Sequence, residues 1–291
     1  MILEIFKMKV LVTGATGFVG NNLIKNLMKY ENIKIVATSR DSKKASKLNW
    51  FPMIRYISYD MNSKDKINLF DYFEEPDRMI HLAWEGLPNY EDSIHIKNNL
   101  PNNLRFIKNL ISNGLKDISV TGTCFEYGMV DGCMNENMKA NPSNSYSIAK
   151  DSLRKSIVDL KNKFDFNYKW IRLFYMYGEG QNKNSLIALL DEAIKNGEKE
   201  FNMSGGEQLR DYLHSDEVVK NITKIALQNK IDNQIINCCS GKSISVKKLV
   251  ENYLNEKNYE MKLNLGYYPY PAYEPMSFWG DNSKLKELSC E

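Results

Sequence analysis

No apolar run in this 291-residue chain is long enough to span a bilayer, so a transmembrane role is not expected. The opening stretch, Met1 to Lys9, is too short and too mixed for a secretory signal, and a cytoplasmic protein is expected. Histidine is scarce. The three present, His81, His95 and His214, do not cluster with the five cysteines Cys124, Cys133, Cys238, Cys239 and Cys290, which have no C-x-x-C spacing. A disulfide scaffold and a zinc site are both disfavoured, and no metal is predicted. Charge of one sign is also lacking: 39 Lys and Arg stand against 36 acids, a formal +3, and the bases are spread rather than gathered into a tail or stripe. Nucleic acid is therefore not an expected partner. There is no internal repeat and no low-complexity linker, and the abundance of Asn and Lys is compositional bias.

What the chain does have is length for a substantial core and a regular rhythm. Lys9–Thr13, Lys34–Thr38, Arg55–Tyr59, Met79–Leu82, Ile118–Thr121 and Tyr168–Leu173 read as strands, separated by stretches of helical period. Leu23, Ile24, Leu27 and Met28 form one apolar stripe; Leu100, Leu104, Ile107, Leu110 and Ile111 form another. Alternation of this kind predicts an α/β fold with a doubly wound parallel sheet, its strands joined by crossover helices. Beyond Gly178 the rhythm breaks into Gly/Asn/Lys-rich loops, with helices predicted near Ser185–Asn196, Ser215–Gln228 and Val246–Leu254. Residues 1–177 are read as one domain and 178–291 as a smaller, partly discontinuous α/β region for substrate. Residues 267–281 carry four tyrosines, a tryptophan and three prolines, which favours an ordered aromatic loop.

The first strand runs into T-G-A-T-G-F-V-G and then a helix. Glycines there allow positive φ and close backbone approach, and the helix N-terminus faces a pyrophosphate, as in a Rossmann dinucleotide site. Gly14, Thr16, Gly17, Phe18, Val19 and Gly20 are the candidate contacts. The spacing is G-x-x-G-x-x-G, weak in isolation; the strand before and the helix after give it weight. Past the second strand stand Ser39, Arg40 and Asp41. Arg40, beside Ser39, sits where a 2′-phosphate is bound and has the planar donors to bind it, so NADP(H) is favoured. Asp41 keeps NAD(H) open, and an ordinary surface charge is the plain alternative for Arg40.

Tyr146 and Lys150 form Y-x-x-x-K, which places both side chains on one helical face. An ammonium there favours the phenolate of a tyrosine able to pass a proton. With them stand T-G-T-C-F-E-Y-G after the fifth strand, R-L-F-Y-M-Y-G-E-G at Arg172–Gly180, R-D-Y-L-H-S-D at Arg210–Asp216 and H-L-A-W at His81–Trp84. As a set these motifs resemble the extended short-chain dehydrogenase/reductases, the NAD-dependent epimerases and dehydratases of nucleotide sugars, from Lys9 to about Leu285.

The resemblance implies Tyr146 as acid/base, Lys150 on the nicotinamide ribose and Thr123 on the reacting oxygen. It implies Asp60 and Met61 near adenine, Ala83 on the strand end under the cofactor phosphates, Leu82, Trp84 and Thr121 as further cofactor contacts, and Asn99 as support from the long helix. Arg210 matches the arginine that clamps a nucleotide-sugar diphosphate. Trp84, Thr123, Cys124, Phe125, Tyr146, Tyr175 and Arg210 are the candidate substrate contacts. A homodimer through the helices near Leu100–Ile111 and Tyr146–Leu160 is implied too.

Departures from the family pattern narrow the chemistry. The Asp-Glu pair of 4,6-dehydratases is Cys124-Phe125 here, which disfavours dehydration. Tyr175 replaces an asparagine and Glu179 a proline. Tyr270, Pro271, Ala272 and Tyr273 stand where a second phosphate-binding arginine is expected, so binding leans on Arg210 or on aromatic stacking. His81 is read as a packed histidine and Cys124 as a small buried residue. The leading expectation is an NADPH-dependent nucleotide-sugar 4-ketoreductase acting on a 4-keto-6-deoxy sugar. An NAD-dependent 4-epimerase is the alternative, and a non-catalytic NADP-binding regulator stands as a different class of answer.

Overall fold

The computed structural model describes residues 8–270 and 274–288, so Pro271, Ala272, Tyr273 and Cys290 lie outside the described residues. Seven strands form one parallel sheet: β1 (Met8–Thr13), β2 (Ile33–Thr38), β3 (Arg55–Tyr56), β4 (Arg78–His81), β5 (Asp117–Thr123), β6 (Asn167–Leu173) and β7 (Gln234–Cys238). Their order is β7-β6-β5-β4-β1-β2-β3. The order reverses between β1 and β4, and such a switch point opens a crevice beyond the strand C-termini.

Both faces of the sheet are covered, which is why its strands are nearly continuous apolar runs. Side chains alternate across a strand, so Val10 and Val12 of β1 enter one core and Leu11 the other. The first core holds Leu23, Ile24 and Leu27 of helix α1 (Phe18–Leu27). The second holds Ile107 and Leu110 of α2 (Leu100–Ser112) and Leu153 and Ile157 of α3 (Ser145–Leu160).

Beyond residue 178 the chain divides its loyalties. Helix α4 (Leu186–Lys195) and helix α6 (Val246–Glu256) build a separate apolar cluster with Phe201 and Met203. Helix α5 (Ser215–Leu227) instead packs Val218, Val219, Ile222 and Ile225 into the first core against α1, and Asn26 Nδ2 donates to Thr223 Oγ1 at 2.8 Å across that helix pair.

Three expectations change. Strand β7 was not anticipated, because Q-I-I-N-C offers only two adjacent β-branched residues and its neighbours are polar; register beside β6 makes it a strand. The predicted strand Arg55–Tyr59 pairs only over Arg55–Tyr56. Within the aromatic segment, Phe278–Gly280 is a short strand parallel to Gly132–Met134 rather than loop.

Candidate active site

The strand C-termini assemble the site from the backbone outward. Gly14 follows β1 with φ +67°, and a Cβ there would stand 2.9 Å from the Ala83 nitrogen. At Gly20 a Cβ would lie 2.2 Å from the Gly14 carbonyl oxygen, so only glycine lets α1 sit this close to the turn. The Ala15 N–H donates to the Thr38 carbonyl, tying the turn to the end of β2. Gly17 is the N-cap of α1; it supplies no side-chain cap, and the first turn, with Phe18 and Val19, holds no acid. The leading N–H groups and the positive end of the dipole are thus left for an anion. A cradle that a Cβ would fill, opening on an uncapped helix, fits the pyrophosphate of a dinucleotide. Thr16, half-buried, lies within the turn.

The neighbouring strand ends are held by a neutral histidine. Thr13 Oγ1 accepts from the Leu82 and Ala83 N–H groups at 3.1 and 3.2 Å, leaving its proton for His81 Nδ1 at 2.9 Å. His81 Nε2–H then donates to Asn103 Oδ1 at 2.7 Å. Complete burial pushes the imidazole down to about 3, with the Lys150 charge adding to the effect. His81 therefore ties β1, β4 and α2 together, and Thr121 Oγ1 donates to its carbonyl.

Around the expected adenosine end, Ser39 Oγ lies 3.0 Å from the Tyr56 hydroxyl, and Asp41 caps the short helix Ser42–Ala45 through the Lys44 N–H. Arg40 is exposed, and its guanidinium is paired with Glu85, which follows β4. Because β1 lies between β2 and β4, this ion pair reaches across the strand that carries the glycine turn. Asp60 accepts from the Asn62 N–H, and the Met61 carbonyl accepts from Arg105, so both belong to a turn braced by α2.

Thr123, Tyr146 and Lys150 converge. Tyr146 and Lys150 are 8% and 2% exposed on α3, whose start is set by a reciprocal cap between Asn144 and Ser147. The Tyr146 hydroxyl is hydrogen-bonded to the Thr123 side chain. Burial holds that hydroxyl well above the usual phenol range, with the Thr123 hydrogen bond acting the other way. Lys150 Nζ donates to the Thr121 carbonyl at 2.8 Å and lies 6.0 Å from the Tyr146 ring centre. Burial brings this ammonium down to about 7, with Glu126 favouring its charged form. Desolvation, not the expected pull of Lys150, is the leading influence on the Tyr146 proton here.

Several residues at this site carried no role in the sequence reading. Glu126, fully buried, accepts from the Thr123 N–H at 2.9 Å, from Trp170 Nε1 at 2.9 Å and from Arg172 Nε at 2.8 Å, which fixes the strand end bearing Thr123. A Cβ on Gly122 would lie 2.2 Å from Trp170 Nε1, so this glycine makes room for the cluster. Tyr90 and His95 flank Tyr146 with ring centres at 5.7 and 5.3 Å. They come from a polar stretch without period, and a π-helical turn at His95–Asn99 carries His95 inward, a distortion that concentrates at functional sites. Asn99 Nδ2 donates to the Glu85 carbonyl at 3.0 Å.

On the far side, Cys124 is 4% exposed, and burial drives its thiol far from ionisation. Phe125 stands edge-on to Tyr90 and Tyr175. The Tyr175 hydroxyl is buried without a hydrogen-bond partner, as is Gln208 Oε1. Arg210, 2% exposed, donates to Glu274 from Nη2 at 2.9 Å and from Nε at 3.3 Å, and lies 5.5 Å from the Tyr175 ring centre. Tyr267, Tyr268 and Tyr270 are exposed rather than packed; Tyr270 donates to Glu207 at 2.8 Å. Among the described residues no group of three His, Cys, Asp or Glu side chains could hold a metal ion, and no helix is long and apolar enough to cross a membrane.

With this geometry in hand, known proteins give it context. Residues 10–239 match the family model described as the NAD dependent epimerase/dehydratase family. The chain is 28% identical over 275 residues to a dTDP-6-deoxy-L-talose 4-dehydrogenase (NAD(+)) of Aggregatibacter actinomycetemcomitans, covering 94% of this chain and 99% of that protein. It is 28% identical over 270 residues to a dTDP-4-dehydro-6-deoxyglucose reductase of Escherichia coli, covering 88% and 82%. Among solved structures it shares the fold of MoeE5 in complex with UDP-glucuronic acid and NAD, at 23% identity and a TM-score of 0.80, covering 96% and 92% of the two chains.

Proposed function

The chain belongs to the NAD dependent epimerase/dehydratase family, and on that premise we propose that it reduces the C4 keto group of a 4-keto-6-deoxy nucleotide sugar with NADPH. It is an α/β Rossmann-type protein, its relatives are nucleotide-sugar oxidoreductases and epimerases, and a nicotinamide dinucleotide is its cofactor. The observation that carries the reading is the convergence of Thr123, Tyr146 and Lys150 at the strand edge that holds the glycine turn. Beside them Cys124 and Phe125 offer no carboxylate for expelling water.

Gly14, Thr16, Gly17, Phe18, Val19 and Gly20 would hold the pyrophosphate, Ser39 and Arg40 the adenosine end, and Leu82, Ala83, Asn99 and Thr121 the ribose path. Bound there, the reduced nicotinamide supplies hydride. Tyr146 gives its proton to the C4 oxygen, a role that suits a hydroxyl kept protonated by burial. Thr123 steadies that oxygen by a hydrogen bond, and the Lys150 ammonium offsets the negative charge that develops on Tyr146. Arg210 offers a planar fork to the diphosphate, which competes with Glu274 for it. Tyr175 and Trp84 line the sugar side, and residues 178–291 act as the substrate region.

Both 28%-identical relatives are named for chemistry at C4 of a 6-deoxy sugar nucleotide, one as a dehydrogenase and one as a reductase. The two names give opposite directions of hydride transfer at C4, on different sugars. A second reading, NAD(H) as the cofactor, has its own observation: Arg40 is occupied by Glu85. We place the protein in the cytoplasm as a homodimer through α2 and α3, where Ile148 and Val158 leave apolar surface exposed.

The deciding assay mixes the protein with NADPH, or with NADH, and a 4-keto-6-deoxy sugar nucleotide freshly made by a dehydratase. Cofactor absorbance should fall with one base among GDP, CDP, dTDP and UDP. No oxidation with any of them would overturn the reductase reading; slow epimerisation of a 4-hydroxy sugar with cofactor retained through purification would favour the epimerase.

A further inference from the structure

A buried ammonium needs something in place of water, and Lys150 has little. Among the described residues no carboxylate forms an ion pair with it, and its one hydrogen bond goes to the Thr121 carbonyl. The nearer of two aromatic faces is that of Trp84: Lys150 Nζ lies 4.1 Å from its ring centre, against 6.0 Å for Tyr146.

That indole is itself held. Trp84 Nε1 donates to His95 Nδ1 at 3.1 Å, and the two rings stack at 20° with centres 6.3 Å apart. His95 is turned by its other nitrogen, which donates to the Asn89 carbonyl at 2.8 Å, while Asn99 Nδ2 approaches Nδ1 at 3.3 Å. The edge of Trp84 then meets Tyr146, ring centres 6.0 Å apart at 70°. One side chain touches both members of the Y-x-x-x-K pair.

We propose that Trp84 is a positioning residue for the reaction, its indole face carrying the Lys150 ammonium and holding it beside Tyr146. The negative face of an aromatic ring attracts a cation, most strongly for indole and most strongly away from water. Trp84 thereby takes the part that a carboxylate would otherwise take, without supplying an anion that would oppose ionisation of Tyr146. The other groups facing Lys150 do not supply this: Glu126 acts through space from the turn after β5, His81 on β4 is neutral, His95 donates away from it, and Tyr146 on α3 is protonated.

The inference rests on the reading of Tyr146 and Lys150 as the reacting pair, and its deciding titration needs no substrate. Protein labelled with 13C at lysine Cε is titrated by NMR without substrate, the Lys150 signal being the one lost in Lys150→Arg. Trp84→Leu keeps the space apolar but removes the ring face, and should lower the Lys150 midpoint by about one pH unit. Trp84→Phe should fall between it and wild type, and in turnover assays the alkaline limb of kcat should move in step. A folded Trp84→Leu whose midpoint is unchanged or raised would overturn the proposal. Should the leucine variant fail to fold, Trp84→Phe decides alone: a lowered midpoint supports it, and a wild-type midpoint sinks it. Failure of the nucleotide-sugar assay would leave this titration standing, so the two readings fail separately.

Discussion

The two sides of the crevice are built by different means. On the cofactor side, glycines, strand ends and one helix start place the backbone, and short-range geometry does the positioning: Gly14 at φ +67° and Gly20 against the Gly14 carbonyl leave no alternative side chain. On the proposed substrate side, Arg210 from one short strand meets Glu274, 64 residues later, and buried Tyr175 and Gln208 oxygens stay without partners. One side is rigid by local necessity; the other depends on a long-range charged pair whose members are each costly alone. The lesson is that a turn can be fixed by its own glycines, whereas the second side is held by side chains that each depend on a distant partner.

The largest expected effect breaks the proposed reacting pair on the rigid side. Tyr146→Phe should lower turnover by roughly 10²–10⁴-fold, as loss of a general acid predicts, while cofactor binding followed by fluorescence stays near wild type. Cofactor affinity falling in parallel would show that Tyr146 is holding the cofactor instead.

The next breaks the long-range pair. Glu274→Gln leaves Arg210 buried without its counter-charge and should destabilise the fold by about 3 kcal/mol in urea unfolding. A smaller cost than about 1 kcal/mol would mean that the second region tolerates a lone buried guanidinium.

Acid probes the rigid side through His81. Its native imidazole titrates near 3, below the ordinary value of 6.5, so the unfolded chain binds more protons as pH falls between those values. Stability from this group is complete above about pH 6.5 and is lost on acidification, by roughly 1.4 kcal/mol per pH unit in that window. Unfolding free energies at pH 7 and pH 5 should differ by about 2 kcal/mol in that direction, and His81→Asn should flatten the difference. A difference that survives the substitution assigns the acid sensitivity to carboxylates.

The smallest effect sharpens the cofactor assignment. If Arg40 binds a 2′-phosphate, Arg40→Ala should weaken NADPH about tenfold and leave NADH almost unchanged, whereas Glu85→Gln should strengthen NADPH by freeing the guanidinium. Equal affinities for both cofactors in all three proteins would leave Arg40 as a surface charge paired with Glu85.

How much of this was legible beforehand depends on distance along the chain. Six strands of the sheet, the helix stripes at Leu23–Leu27 and Ile107–Ile111, the glycine turn and the Tyr146/Lys150 face all follow from spacings within one element. Strand β7 did not, because two isoleucines among polar residues become a strand only through the edge that β6 offers. Glu126 and Arg172 stood in quoted motifs without a role, since nothing in either motif says that the two meet, buried, with Trp170. His95 and Tyr90 lay in a stretch with no pattern, and a π-helical turn brought His95 to Tyr146.

Sequence alone determined the class of sheet, the glycine turn and the shared helical face of Tyr146 and Lys150, because periodicity and glycine stereochemistry act over a few residues and survive any packing. Tertiary structure alone decided what surrounds them: Glu85 on Arg40, Glu274 on Arg210, and the Trp84 ring under the Lys150 ammonium. Such contacts join residues far apart in the chain, and it is the close packing of separate elements, with each buried charge needing a partner, that selects them.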